Sequence, residues 1–280
     1  MEKIIFFDVD GTLFRRDCGV PESARRAISA CLANGHRVML CTGRNQSILP
    51  EEVRRLPLQG MVGGCGTYVA LQEDQALLRQ IEKGEKTNCF ENMQLLTDAA
   101  LTGEICREIL SILYYYHCPF YVENADFVYY DEDYVPPVFQ SAVRSMNQYY
   151  PSYMKSIREF PNRISKITGY PEERQLLQEL KAALSPWLDV IIHEEYVYIE
   201  ITLKGYSKGT GVLQIMAHLG ISKENSYGFG DSGNDLAMLE AVGHGIVMGD
   251  APIFLKQKYQ PTDSIYADGI EKGLQRLHLI

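Results

Sequence analysis

Ile4-Ile5-Phe6-Phe7 is an unbroken apolar run of strand length, the pattern of a parallel strand covered on both faces. Ala24, Ala27, Ile28, Cys31 and Leu32 then recur at helical spacing across Pro21 to Asn34, and Asn34-Gly35 closes that helix. Arg37 to Cys41 predicts a second strand ending at Thr42-Gly43-Arg44, and Gln59 to Val69 a further strand with a glycine-rich edge. From about residue 84 to about 192 the pattern changes. The segment is rich in tyrosine, with helices expected at Leu101–Tyr116 and Pro136–Tyr149 and strands at Phe120–Val122 and Phe127–Tyr130. Strand–helix alternation then resumes with Tyr196–Leu203. A helix follows Ser207-Lys208-Gly209, with Val212, Ile215, Met216 and Leu219 on one face and Gly220 as terminator. Strands at Ser226–Gly230 and Gly245–Met248 and helices at Leu236–Val242 and Ile270–Leu277 complete it.

This order predicts an α/β fold with a Rossmann-like parallel-sheet core, interrupted by an inserted α+β domain. The core is expected at 1–83 and 193–280 and the insert at 84–192, where it can act as a lid over the sheet edge and set substrate specificity.

Composition narrows the picture. In 280 residues, 46% hydrophobic and 22% charged, the chain has enough apolar material for a full core. A net charge of -9 argues against non-specific binding to nucleic acid or an acidic membrane surface. It leaves room for a phosphorylated small molecule, because a local cationic pocket and a metal can outweigh the global field. Seven scattered cysteines without a CxxC pair point to a reducing, cytoplasmic compartment. No signal peptide or membrane-spanning run is read, the six histidines lack metal-ligand spacing, and oligomeric state leaves no mark on the sequence.

Four polar clusters fall at predicted strand ends or helix starts. They are Asp8-Val9-Asp10-Gly11-Thr12, Thr42-Gly43, Lys208-Gly209 and Gly230-Asp231-Ser232-Gly233-Asn234-Asp235. Such edges are where α/β sheets place ligands. Together the clusters supply what phosphoryl transfer needs: a carboxylate nucleophile, groups to hold the phosphoryl oxygens, and oxygen ligands for Mg2+. Asp8 and Asp231 suit the metal. Asp10 can contribute its backbone carbonyl and keep its carboxyl free. Asp235 reads as an orienting or helix-capping residue.

In motif order and spacing these residues resemble the haloacid dehalogenase superfamily of phosphatases, and more narrowly its Cof-type subfamily with a type IIB cap. Cys65-Gly66-Thr67-Tyr68-Val69, Val247-Met248-Gly249-Asp250-Ala251 and Ala267-Asp268-Gly269-Ile270 extend the likeness. The resemblance implies Asp8 as nucleophile and Asp10 as acid then base. It implies Thr42, Gly43, Lys208 and Asn234 around the phosphate, and Asp8, the Asp10 carbonyl and Asp231 on Mg2+. Two positions depart from the family pattern: Cys65 and Asp250 each stand where asparagine is common. The expected activity is a Mg2+-dependent phosphatase of small metabolites, sugar phosphates favoured, working through an aspartyl-phosphate. A phosphomutase and a non-catalytic phospho-regulated module are the alternatives.

Overall fold

The computed structural model describes residues 1–193 and 198–280, so Glu194, Glu195 and the expected start of a strand at Tyr196 lie outside the described residues. The chain divides into two compact units. One comprises residues 1–44, 49–97 and 207–280, the other residues 45–48 and 98–206.

The first unit is built on an eight-stranded sheet. Its strands are β1 (Ile4–Phe7), β2 (Arg37–Cys41), β3 (Gly60–Gly63), β4 (Tyr68–Leu71), β5 (Gln94–Asp98), β6 (Ser226–Gly230), β7 (His244–Val247) and β8 (Gln260–Pro261). Their spatial order is β8-β7-β6-β1-β2-β3-β4-β5. β1 lies between β2 and β6, and pairings from β8 across to β3 are parallel. Alternation of side chains explains the apolar runs. Ile5, Phe7, Val38 and Leu40 enter one core with Ala24, Ala27 and Ile28 of the Glu22–Ala33 helix. Ile4, Phe6, Met39 and Cys41 enter the other with Val212 and Ile215 of the Lys208–Leu219 helix. β1 is thus central and buried on both faces, and its C-terminal end is held from both sides.

The expected single strand across Gln59–Val69 is instead a hairpin. β3 and β4 pair antiparallel, joined at Gly64–Gly66, where three successive residues have positive φ (54°, 55° at Cys65, and 95°). Two glycines make that turn accessible, and Cys65 is the one side chain held in it.

The second unit carries a six-stranded sheet. In spatial order its strands are Leu188–His193, Tyr198–Leu203, Lys166–Gly169, Phe120–Glu123, Val128–Tyr130 and Met154–Ser156. All its pairings are antiparallel except the last. Helices Glu104–Tyr115 and Leu177–Leu184 pack on one face through Ile109, Leu113, Leu180 and Leu184. Several of its tyrosines are packing groups: Tyr121 lies 4.7 Å from Phe139 and Tyr129 5.3 Å from Phe160, ring centre to ring centre. All seven cysteines are free thiols. Among the described residues no helix is long and apolar enough to cross a membrane.

Candidate active site

The C-terminal ends of β1, β2 and β6 converge within the first unit. Asp8 follows β1 directly, and its backbone N–H extends the sheet to the Phe229 carbonyl of β6 at 3.0 Å. The residue is buried at 4% exposure. Gly11 then turns with φ +84°, and a Cβ there would lie 2.3 Å from Asp231 Oδ2. Glycine is needed twice over, for the backbone conformation and for the close approach of the acidic loop. Thr12 reinforces that approach by donating to Asp231 Oδ1 at 3.1 Å.

Lys208 is brought from 200 residues away by the first turn of its helix. Ser207 caps that helix, its hydroxyl accepting from the Thr210 N–H at 3.1 Å while Thr210 Oγ1 accepts from the Ser207 N–H at 2.9 Å. The Gly64–Gly66 turn presses against this cap: a Cβ on Gly66 would sit 2.1 Å from the Ser207 carbonyl oxygen. The Lys208 ammonium is buried and donates to Asp8 Oδ1 at 2.7 Å, Asp235 Oδ1 at 2.6 Å and Asn234 Oδ1 at 3.2 Å. An ammonium has three hydrogens, and all three have acceptors here.

Asp235 is fully buried. Its Oδ2 accepts from the Asp231 and Ser232 N–H groups at 2.9 and 3.0 Å, so it shapes the loop after β6 and serves Lys208 with its other oxygen. Asn234 uses its side-chain carbonyl for Lys208 and for the Ser232 hydroxyl at 2.8 Å. Thr42, at the end of β2, is buried, and its Oγ1 accepts from the Arg44 N–H at 3.1 Å. Gly43 occupies the turn between them.

Asp10 is placed differently. Its carboxylate, 57% exposed, is gripped by the Arg44 guanidinium, Nε to Oδ2 at 2.6 Å and Nη2 to Oδ1 at 2.7 Å. Desolvation by surrounding protein raises its pKa, but the charge and hydrogen bonds of Arg44 outweigh this and hold it below the ordinary value. Sequence reasoning singled out Thr42-Gly43 and passed over Arg44. The available signal was a cation two residues beyond a polar strand end.

Burial pushes the Asp8 carboxyl well up, helped by the charges of Asp235, Asp231 and Asp10 and opposed by Lys208. Burial, then the Asp235 charge, pushes Asp231 up to about 7. For Lys208, burial works against the charged form, yet Asp235 and Asp8 more than compensate and its pKa lies well above the ordinary value. Oxygens of Asp8, Asp231 and Asp235 lie within 4.8 Å of one another. Oxygen donors clustered this closely, with burial raising the pKa of Asp8 and Asp231, lack positive charge, and the donor set suits a hard divalent cation.

Asp250 lies on the following loop, paired with Arg15 at 3.3 Å. Cys65 donates its N–H to the Thr42 carbonyl at 3.3 Å, linking the β3–β4 turn to the end of β2.

Known proteins resemble this chain along most of its length. Residues 5–274 match the sequence profile described as haloacid dehalogenase-like hydrolase. An HMP-PP phosphatase of Serratia proteamaculans (strain 568) is 26% identical, over 90% of this chain and 85% of its own length. The 5-amino-6-(5-phospho-D-ribitylamino)uracil phosphatase YitU of Bacillus subtilis (strain 168) is 23% identical, over 97% and 96%. Among solved structures, the haloacid dehalogenase subclass IIB sugar phosphatase BT4131 superposes with a TM-score of 0.76 at 22% identity, covering 99% of this chain and 100% of that one.

Proposed function

The chain belongs to the haloacid dehalogenase-like hydrolase family, and on that premise we propose that it is a Mg2+-dependent phosphomonoesterase working through an aspartyl-phosphate. Its substrates are small phosphorylated metabolites, sugar phosphates foremost. The observation that carries the reading is the buried Lys208 ammonium bonded to Asp8 and Asp235, with Asp231 completing an acidic cluster at the end of β1. The two sequence relatives, both named as phosphatases of small phosphorylated compounds, support the substrate class.

In this reading Asp8 attacks phosphorus with Oδ2 while Lys208 holds Oδ1 and fixes the direction of attack. The bond from phosphorus to the leaving oxygen breaks, and Asp10 delivers the proton that makes it an alcohol. Asp10 then takes a proton from water, which attacks phosphorus, and the bond to Asp8 breaks to release orthophosphate. Thr42 receives the Arg44 N–H, and among the described residues no acceptor takes its hydroxyl hydrogen, which is left for a phosphoryl oxygen. Lys208 supplies charge beside the same oxygens, and Asn234 and Asp235 hold it there. Asp8, Asp231 and the Asp10 carbonyl would hold Mg2+, which when bound neutralises phosphoryl charge and the excess of carboxylates. Substrate choice is assigned to the inserted α+β segment.

The test is phosphate release from a panel of sugar phosphates and other phosphomonoesters with MgCl2. We expect turnover on several sugar phosphates. Asp8→Asn should lower it by at least about a thousandfold with an unchanged circular dichroism spectrum. A well-folded wild type that releases phosphate from nothing, or an Asp8→Asn variant that stays active, would refute the reading.

A further inference from the structure

Taking the phosphomonoesterase reading as given, we propose that Arg44 is a positioning residue that exchanges partners, gripping Asp10 in the free protein and releasing it when its guanidinium takes up the oxygens of a phosphate dianion. The observed pairing works against the role assigned to Asp10, because a bidentate guanidinium favours the unprotonated carboxylate and fixes its orientation. A general acid needs a proton on one oxygen, and a general base needs a lone pair facing water. In the free protein both Asp10 oxygens receive guanidinium hydrogens, at 2.6 and 2.7 Å. Each oxygen keeps a second lone pair, so the fork hinders Asp10 without blocking it, and release by Arg44 lets the carboxyl take a proton and turn toward a leaving oxygen more readily.

The backbone around Arg44 is fixed, so an exchange of partners would be a movement of its side chain alone. The Arg44 N–H is held by Thr42 Oγ1 at 3.1 Å, and its carbonyl accepts from the Gly64 N–H at 3.0 Å, so the Cα is pinned between β2 and the β3–β4 turn. Its partner Asp10 is more than half exposed while the Arg44 side chain is 15% exposed, so the pair is reached from the Asp10 side. The buried Lys208 cannot serve an incoming dianion without giving something up, since its three hydrogens go to Asp8, Asn234 and Asp235. A guanidinium fork fits two phosphate oxygens as well as it fits a carboxylate, and a dianion outbids a monoanion. Binding the correct anion thus frees the acid–base group, which couples proton transfer to occupancy by a phosphomonoester.

Competition for one guanidinium makes a prediction that mere structural support does not. Orthophosphate binding would be measured by titration calorimetry with MgCl2 present, for the wild type, Arg44→Ala, Asp10→Asn and the double variant, with folding checked by thermal melting. Arg44→Ala should weaken binding at least about tenfold, the scale of losing a charge-assisted bond. Asp10→Asn removes the competitor and should tighten binding roughly threefold or more, and this gain should vanish in the Arg44→Ala background. Equal tightening with and without Arg44 would reduce the effect to a lost negative charge and overturn the exchange, as would no tightening or no orthophosphate binding by the wild type. Should Arg44→Ala not fold, Arg44→Lys keeps the charge without the fork and should likewise blunt the Asp10→Asn gain. Because binding is read without turnover, a chain that hydrolyses no ester but shows this pattern loses only the activity reading. An active enzyme with a flat pattern loses only the exchange.

Discussion

Burying the Lys208 ammonium, on a side chain 1% exposed, is tolerable only because three acceptors reach it. The converse holds for its partners: Asp8 and Asp235 are buried carboxylates whose shared counter-charge is this one side chain. Lys208→Met keeps most of the volume and removes the charge. At neutral pH without Mg2+ it should cost on the order of 3 kcal/mol in urea denaturation, the scale for stripping one partner from a buried pair. The deficit should shrink as pH falls, because burial and the neighbouring carboxylates already raise the Asp8 pKa and protonation removes the uncompensated charge. A cost that is flat with pH would mean that lost packing, and not lost charge, is responsible. Asp8, Lys208 and Asp231 were legible in the sequence because each follows or begins an element whose hydrophobic pattern is strong. Arg44 was not, because nothing along the chain says that a loop cation will turn back onto Asp10, and only the parallel pairing of β1 with β2 brings those two strand ends together.

At the scale of elements, parallel strands buried on both faces announce themselves as apolar runs, and β1, β2 and β6 were readable on that ground. The hairpin of β3 and β4 was not. Both strands are apolar, and the break between them is made by backbone conformation at Gly64, Cys65 and Gly66 without any change in hydrophobicity. The second unit yielded less for a related reason. Lys166-Ile167-Thr168 and Asp189-Val190-Ile191 carry polar residues inside short strands, so neither a continuous run nor a long alternation is present to read. The turn that escaped the sequence has a structural task, which makes it testable. Gly66 has φ +95°, and a Cβ would stand 2.1 Å from the Ser207 carbonyl, a backbone atom in the cap of the Lys208 helix. Gly66→Ala should therefore lower stability by roughly 2 kcal/mol or more and also depress phosphate release, since the cap must move and carry Lys208 with it. Full activity in a stable Gly66→Ala protein would show that the turn does not set the position of the lysine.

Over the whole molecule the charge is -9, yet the decisive imbalance is local. With every group ionised, Asp8, Asp10, Asp231 and Asp235 outnumber the Lys208 and Arg44 that pair with them by two, an excess that a divalent cation can offset. Stability, pH and metal are thereby linked. Burial, then the Asp235 charge, raises Asp231 from the ordinary 3.8 to about 7. Between those values the folded chain retains a proton that the unfolded chain has lost. The contribution of this group to stability is therefore complete below about pH 4 and is lost as pH climbs through 7. Mg2+ bound to the Asp231 carboxylate must displace that proton at pH 6 but finds it already gone at pH 8. Scanning calorimetry should accordingly show a larger Mg2+-induced rise in Tm at pH 8 than at pH 6, measured against chelator-treated protein at each pH. In Asp231→Asn the rise should be small at both. An equal rise at the two pH values in the wild type would mean that the cation is held without Asp231, and the metal assignment at the end of β6 would have to be given up.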